Sequence, residues 1–136
     1  LLSGVVQYHF DSKWQAICEA TEGVEDRAER IAILLDILVV SSWRSMQAMP
    51  HADELELEID TKLRERLQDI HAGATRNLCE FFLPYESRLQ SRGISASGLA
   101  EMVHLATVGL KLSSTSSEQI DTVVGTMKAC LVAVTD

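Results

Sequence analysis

The sequence predicts an all-α protein with a single substantial core. Apolar residues recur at three- and four-residue spacing through several long segments, which is typical of amphipathic helices. The chain has only two prolines and seven glycines among 136 residues, so few positions interrupt a helix. Hydrophobic residues make up 46% of the chain, which is enough to build a core at this length.

The charge balance is acidic. Twelve Lys and Arg against twenty Asp and Glu give a net charge of −8, which disfavours contact with DNA by the surface as a whole. Lys13 is the only basic residue before Arg27. If the protein binds DNA, most of the positive charge must lie elsewhere. Because the sequence begins at Leu1 rather than Met, we expect the natural protein to continue upstream.

The cysteines and the apolar runs indicate a cytoplasmic protein with no membrane partner. Cys18, Cys79 and Cys130 are far apart, odd in number and set among apolar residues, so we expect buried free thiols in a reducing compartment. Residues 31–40 form the most apolar run. That run is too short to span a bilayer and is interrupted by Asp36.

The first residues carry the most specific pattern. Ser12 followed by Gln15 forms a capping box, which predicts a helix that begins at Asp11 or Ser12 and leaves backbone N–H groups free at its first turn. Lys13 adds a positive charge there, so the end attracts anions. Further donors that could converge on phosphates precede it, namely Gln7, Tyr8 and His9. The alternative is that Tyr8 and Phe10 are core aromatics and His9 is an incidental polar residue near a turn.

Residues 4–13 resemble the end of the helix-turn-helix in TetR-type transcriptional regulators. The family pattern is matched at Gly4, Tyr8, His9, Phe10 and Lys13. Two positions depart from it: Gln7 stands where the family usually has a tyrosine, and Leu2 stands where a capping Ser or Thr is common.

The resemblance implies an architecture and a function. Residues 1–23 would hold the end of the helix-turn-helix and a connecting helix, and residues 24–136 a TetR-like ligand-binding and dimerisation domain. The protein would be a homodimeric, DNA-binding transcriptional regulator, a repressor released by a small apolar or amphipathic effector. Its contacts with the DNA backbone would be made by Gln7, Tyr8, His9 and Lys13.

The next helix is predicted from Glu25 and Asp26 to about Met49, where Pro50 ends it. It is apolar nearly all round and should lie at the centre of the domain. Asp36 is the exception. We expect its carboxylate to be paired with a neighbouring group, and the alternative places it at the edge of a ligand cavity.

A ligand pocket is predicted from adaptable and aromatic side chains. Trp43 and Met46 fall together at helical spacing with Met49, either as pocket walls or as plain core. Phe81 and its neighbours around Pro84 are either core or a pocket lid. The candidate pocket residues are Asp36, Trp43, Met46, Met49, Phe81, Phe82, Tyr85 and Met102.

The remaining elements are helices with clear ends. A long helix is predicted from Asp53 to about Leu83, with Ser95 or Ser97 and then Ser116 capping the two that follow. His51 and Asp53 fit a solvated cap better than a metal site, and His104 reads as a hydrogen-bonded residue rather than a ligand. No metal or cofactor is expected.

The last helix has two stripes, one apolar and one of small residues, and together they are wider than one core requires. We expect a subunit interface, and the resemblance implies a four-helix bundle between two copies. The alternative is that both stripes pack within one chain. The interface would comprise Ala106, Gly109, Leu110, Val124, Gly125, Met127, Ala129 and Leu131.

Two other classes of protein compete with this interpretation. A helical adaptor or scaffold would bind a partner helix in a groove and never touch DNA. An enzyme is not expected, because no Ser-His-Asp set, glycine-rich phosphate loop, paired carboxylates or metal-ligand cluster stands out.

Overall fold

The computed structural model describes residues 2–48 and 61–136, and every regular element within those ranges is helical. This confirms the all-α prediction. A π-helical segment at Asp36–Ser41 joins the second and third α-helices, and a 3₁₀ turn at Leu83–Tyr85 follows the fourth. The α-helices are α1 (Leu2–Thr21), α2 (Arg27–Leu35), α3 (Ser42–Ala48), α4 (Thr61–Phe82), α5 (Glu86–Gln90), α6 (Ala96–Ser113) and α7 (Ser117–Val134).

The predicted helix start at Ser12 is wrong. Helix α1 runs without a break from Leu2 to Thr21, so the backbone N–H groups near Ser12 lie inside the helix and bond to carbonyls of the preceding turn. No free helix end exists there to attract an anion. Gln15 instead donates from Nε2 to Oε1 of Glu19 at 3.1 Å. The predicted stop at Gly23 is confirmed by its φ of +75°.

The central helix lies where the sequence predicts, as a continuous run from α2 to α3. Asp26 caps its start by accepting a hydrogen bond from the Glu29 backbone N–H at 3.1 Å. The wider π turn brings three successive residues, Leu38, Val39 and Val40, into the core. Asp36 is exposed at the start of that turn, so both the expected buried pairing and the cavity-edge alternative are corrected.

The central helix from α2 to α3 is also long and apolar enough to resemble a membrane-spanning segment. Residues Arg27–Ala48 form one helix of 22 residues whose most apolar window has a mean hydropathy of 1.3, so by length and composition it could cross a bilayer. A core helix passes that test equally well. Ile31, Leu34 and Leu35 are completely buried against the other helices, and that burial accounts for the apolar character.

The helices pack in two groups around the central run. Helix α4 lies along α6 and also contacts α1, whereas α7 lies against α2 and the π segment. The core continues through Leu78, Phe82 and Leu89 to Ile120 and Leu131. The predicted end of the long helix is confirmed at Phe82, and its predicted start lies outside the described residues.

The predicted caps of the last two helices are confirmed. Ser95 Oγ accepts from the Gly98 N–H at 3.0 Å, and Ser116 Oγ accepts from the Gln119 N–H at 3.1 Å. In a capping box the side chain of Gln119 would accept from the backbone N–H of Ser116. Here Gln119 Oε1 accepts instead from the N–H of the preceding residue, Thr115, at 2.9 Å. These bonds satisfy donors that a helix start would otherwise leave unpaired.

The cysteine prediction is half right. All three thiols are free, but Cys18 and Cys130 are exposed and Cys79 is only partly buried. Both exposed thiols lie on helix faces turned away from the core, which the apolar neighbours in the sequence did not reveal.

Two arginines hold the end of α7 to the rest of the bundle. Arg27 Nη1 donates to the carbonyl oxygen of Val132 at 2.8 Å and to Thr135 Oγ1 at 3.0 Å. Arg92 Nη1 donates to the carbonyl oxygens of Val134 at 3.2 Å and Asp136 at 2.7 Å. The last carbonyls of a helix have no partner within it, so these bonds fix the C-terminus.

We expect Arg27→Ala to lower the free energy of unfolding by ~1.5–3 kcal/mol, because two hydrogen bonds from a charged donor are lost. Urea unfolding followed by circular dichroism measures the change. Asp136→Asn is the control. It removes only the 3.4 Å ion pair to Arg27 at a carboxylate that is 79% exposed, and should cost less than ~1 kcal/mol. Equal losses in both variants would contradict the assignment to the carbonyl bonds.

Candidate functional site

A cavity of about 400 Å³ lies between α1, α4 and α6. This volume falls within the range of roughly 300–1,000 Å³ that small-molecule sites occupy. One wall is apolar and is formed by Trp14, Ile17, Leu38, Ile70 and Leu78. Two lysines and a histidine contribute polar groups on the other side. Eight of the seventeen lining residues are polar or charged, so the cavity combines apolar and polar side chains in similar numbers.

The cavity arises from one repeated spacing on three helices. On α1, Phe10, Lys13, Trp14 and Ile17 follow the i, i+3, i+4, i+7 pattern and so share a face. The same spacing recurs on α6 at His104, Thr107, Val108 and Lys111, and on α4 at Ile70, Gly73, Ala74 and Asn77. The small side chains at Gly73 and Ala74 leave room that larger residues would fill.

Lys13 and Lys111 meet at the aromatic ring of Phe10. The Lys13 Nζ atom lies 5.3 Å from the ring centroid and the Lys111 Nζ atom 5.7 Å from it. Both distances are within the range of cation–π attraction. The two amines also interact electrostatically with each other.

This contact changes the protonation of the lysine pair. Burial, and then the charge of Lys111, lower the pKa of Lys13 from 10.5 to about 7. Burial also lowers the pKa of Lys111, whereas its hydrogen bond with Lys13 acts in the opposite direction. Near neutral pH the Lys13 amine therefore gives up its proton far more readily than an exposed lysine does.

Two histidines lie next to the lysines. The rings of His71 and His104 meet edge to face with centroids 4.8 Å apart. Burial, followed by the charges of His71 and Lys111, lowers the pKa of His104 to about 4. Burial and Lys111 also lower the pKa of His71. Both imidazoles are therefore neutral at neutral pH.

The His104 Nε2 atom is buried and has no hydrogen-bond partner among the described residues. Leaving such a nitrogen unpaired costs ~1–3 kcal/mol. A polar group of a ligand placed in the cavity could bond to it and recover that loss. The prediction that His104 is a hydrogen-bonded residue is thus corrected at this atom.

Carboxylates also line the cavity, at Asp11 and Asp69, and both residues are exposed. Arg76 is exposed at the same rim. Between pairs of described side chains, the one ion pair within 4 Å joins Arg27 to Asp136, far from this site. Among the described residues, Asp69 therefore forms no ion pair within 4 Å with either lysine.

The residues predicted to contact the DNA backbone are separated in the structure. Tyr8 is 74% exposed, so its hydroxyl is accessible, and its role stays a prediction. Lys13 is not beside it at the surface, because its ammonium is turned into the cavity. That position is a correction to the sequence analysis. The side chains of Gln7 and His9 lie outside the described part of the chain.

The predicted pocket residues do not line this cavity. Phe81 and Phe82 fill the core, with ring centroids 5.3 Å apart. Trp43 is buried, whereas Met46 and Tyr85 are partly buried, and Tyr85 packs against the core. Asp36 and Met102 are exposed, and Met49 is outside the described residues. The aromatic cluster is therefore core rather than a lid.

The predicted interface residues divide into two groups. Leu131 is buried in the core of its own chain, so its assignment to a subunit interface is corrected. Leu110, Val124 and Met127 pack against that core but are only partly buried, and their interface role stays a prediction. Ala106 is partly buried, whereas the small residues Gly109, Gly125 and Ala129 are exposed. Helix α6 also exposes three large apolar side chains that the sequence analysis did not assign to an interface, at Met102, Leu105 and Leu112.

Within the described ranges, no group of three or more His, Cys, Asp or Glu side chains could hold a metal ion. His51 and Asp53 lie outside those ranges. No protein-family model, curated protein or solved structure matches the chain.

The site residues that the sequence analysis missed carried one usable signal. Lys111 lies on the inward stripe formed by His104 and Thr107, where an amphipathic helix normally places apolar residues. Lys13 likewise lies on the inward face of α1, with Trp14 and Ile17. A cation on the buried face of two different helices indicates a shared polar cavity, but periodicity alone does not tell which helices meet.

We expect the free energy of unfolding to rise between about pH 7 and pH 10.5, because Lys13 has a pKa of about 7 when folded against 10.5 ordinarily. The folded protein binds fewer protons in that range, so stability increases with pH. Lys13→Met should flatten the rise and add ~1 kcal/mol at pH 6, where a buried charge is removed.

Urea titrations across this pH range measure the effect. Lys128→Met is the matched control, since Lys128 is exposed on α7 and its replacement should leave the slope unchanged. If the free energy of unfolding of Lys13→Met rose with pH as steeply as that of the wild type, the Lys13 ammonium would be solvated rather than buried.

Proposed function

We propose that the chain senses a small molecule within a ligand-responsive transcriptional regulator of the TetR type. The observation that carries the sensing role is the cavity of about 400 Å³ with its two lysines and unpaired His104 Nε2. A fold that needed only stability would fill such a space with apolar side chains. The DNA-binding role is supported by the resemblance of residues 4–13.

Helix α1 gives a physical connection between the two roles. Phe10 and Lys13 belong both to the TetR-like motif and to the wall of the cavity. Because α1 is one helix from Leu2 to Thr21, a ligand that shifts it against α4 and α6 also moves its N-terminal end. Exposed Tyr8 would move with that end.

Such a ligand acts as an effector only if it binds one arrangement of α1 more tightly than another. A coupling of 1–3 kcal/mol, typical of allosteric proteins, would change the affinity for DNA by roughly 5–150-fold. A repressor would be released by binding of this kind.

The experiment is a thermal-shift screen of apolar and amphipathic compounds, followed by fluorescence anisotropy of labelled duplex DNA with each compound that binds. We expect a binder to raise the melting temperature and to weaken DNA binding at least fivefold. Ala74→Phe should abolish both responses by filling the cavity, because Ala74 lines it.

Ala72→Phe is the matched control, since Ala72 is exposed two residues away on the same helix. It should respond as the wild type does. Compounds that still bind Ala74→Phe with full affinity would move the sensing site elsewhere. A protein that binds compounds but not DNA at low salt would contradict the regulator role and favour the helical adaptor.

We further propose that the protein is a homodimer that uses the outer face of α6. Met102, Leu105 and Leu112 are 57%, 65% and 60% exposed, and Gly109 lies on the same side at three- and four-residue spacing. An apolar stripe of this kind is typical of a helix pairing seam. The helical adaptor is the alternative occupant of the stripe, as a partner helix could cover it.

We expect Leu105→Asp to convert a dimer into a monomer in sedimentation equilibrium, because a charge would be buried without a partner at the centre of the stripe. Leu83→Asp is the control, as Leu83 is 47% exposed in the 3₁₀ turn and should leave the mass unchanged. A wild-type protein that is monomeric at every concentration would refute the dimer.

A further inference from the structure

We infer that the ligand of the cavity is an amphipathic anion, whose head group is held between Lys13 and Lys111 and whose apolar body lies against Trp14, Ile17 and Leu38. The inference rests on the proposed sensing role and names the chemical class of the effector. The class is a small oxyanion, carboxylate or phosphate, attached to a short apolar chain.

The first argument is the arrangement of charge. The amines of Lys13 and Lys111 come from different helices and lie 5.3 and 5.7 Å from the centroid of one ring, although two ammonium ions held beside the same ring repel each other. Walls of the cavity remove much of the water that would screen them. An oxyanion between the two would accept a charge-assisted hydrogen bond from each and cancel the repulsion.

The second argument is the unpaired histidine. His104 lines the cavity and is only 6% exposed, yet its Nε2 atom has no partner in the part of the chain that the structure describes. As a neutral imidazole it can donate one hydrogen bond through that atom. A head group between the lysines of α1 and α6 would thus find a third donor.

The other charged groups around the cavity fix the orientation of the ligand. Asp11 and Asp69 are exposed carboxylates and would repel an anion placed beside them. Among the described residues that line the cavity, the cations are Arg76 at the rim and the lysine pair, and His71 is neutral at neutral pH. The lysine pair is therefore the position where an anionic head is most stabilised.

The volume limits the size of the ligand. About 400 Å³ corresponds to roughly a dozen water-sized groups at ~30 Å³ each. Octanoate is within that limit, whereas a long-chain fatty acid exceeds it. The apolar residues along α1 match the length of a short chain.

The experiment is isothermal titration calorimetry of the whole chain with octanoate, octyl phosphate and 1-octanol at pH 6.5. We expect octanoate or octyl phosphate to bind at least tenfold more tightly than octanol, and the stronger of the two identifies the head group. Lys111→Met should remove this preference and leave octanol binding unchanged. Lys111→Arg should retain it, since Arg keeps the charge.

Lys128→Met is the control for a general change in protein charge and should bind as the wild type does. Repeating the titration at pH 9 should weaken the binding of the anion, because Lys13 has lost its proton there, and should leave octanol unaffected. Titrations at pH 7 in two buffers of different ionisation enthalpy should detect proton uptake with octanoate.

The inference would be overturned if octanol bound as tightly as the two anions. It would also be overturned if Lys111→Met lowered the affinities for octanol and for the anions by the same factor. Either result would leave a small-molecule site intact. Binding of none of the three would also overturn it. In that case the thermal-shift screen decides whether the cavity binds a neutral molecule instead. A protein that binds no anion but does bind a neutral compound contradicts only this inference, whereas a protein that binds no compound contradicts the sensing role itself.

Discussion

The burial of two amines against one aromatic ring is the constraint on which the rest of the structure depends. Lys13 and Lys111 come from helices at opposite ends of the chain, and both reach Phe10. Helix α4 packs against both α1 and α6, and its small residues Gly73 and Ala74 line the same cavity. Filling the space with apolar side chains would be more stable, so retaining the amines points to a use for them.

The central helix provides the floor of this arrangement. Leu38, Val39 and Val40, three successive residues of its π turn, are all buried in the core. Leu38 thereby reaches the cavity while its neighbours pack against α7 and the rest of the core. Insertions of this kind are frequent near functional sites, and here one shapes an apolar wall beside charged groups.

The helix ends that depend on hydrogen bonds between residues close in the sequence could be predicted from the sequence. Ser95 and Ser116 were identified as helix caps because a capping side chain bonds to its own chain within three residues. Ser12 has the same local pattern, but it lies on the exposed face of a segment whose opposite face carries the apolar stripe of Phe10, Trp14 and Ile17. We infer that burial of this stripe stabilises a continuous helix more than the cap would stabilise a helix start at Ser12. The cavity depends on which faces of α1, α4 and α6 meet, and that is set by packing between distant segments rather than by periodicity. The prediction that Phe81 and its aromatic neighbours line a pocket failed for the same reason, because aromatic rings pack in a core as well as they line a pocket.

The two tryptophans of the chain occupy environments that differ in kind. Trp43 is sealed in the core, with its indole N–H unbonded within the described residues, whereas Trp14 forms part of the cavity wall within a few side chains of the amines. Indole emission responds to nearby charge and water, so the molecule carries a built-in optical reporter at the site and a shielded reference away from it. Occupancy of the cavity could then be followed by light alone, without attaching a dye.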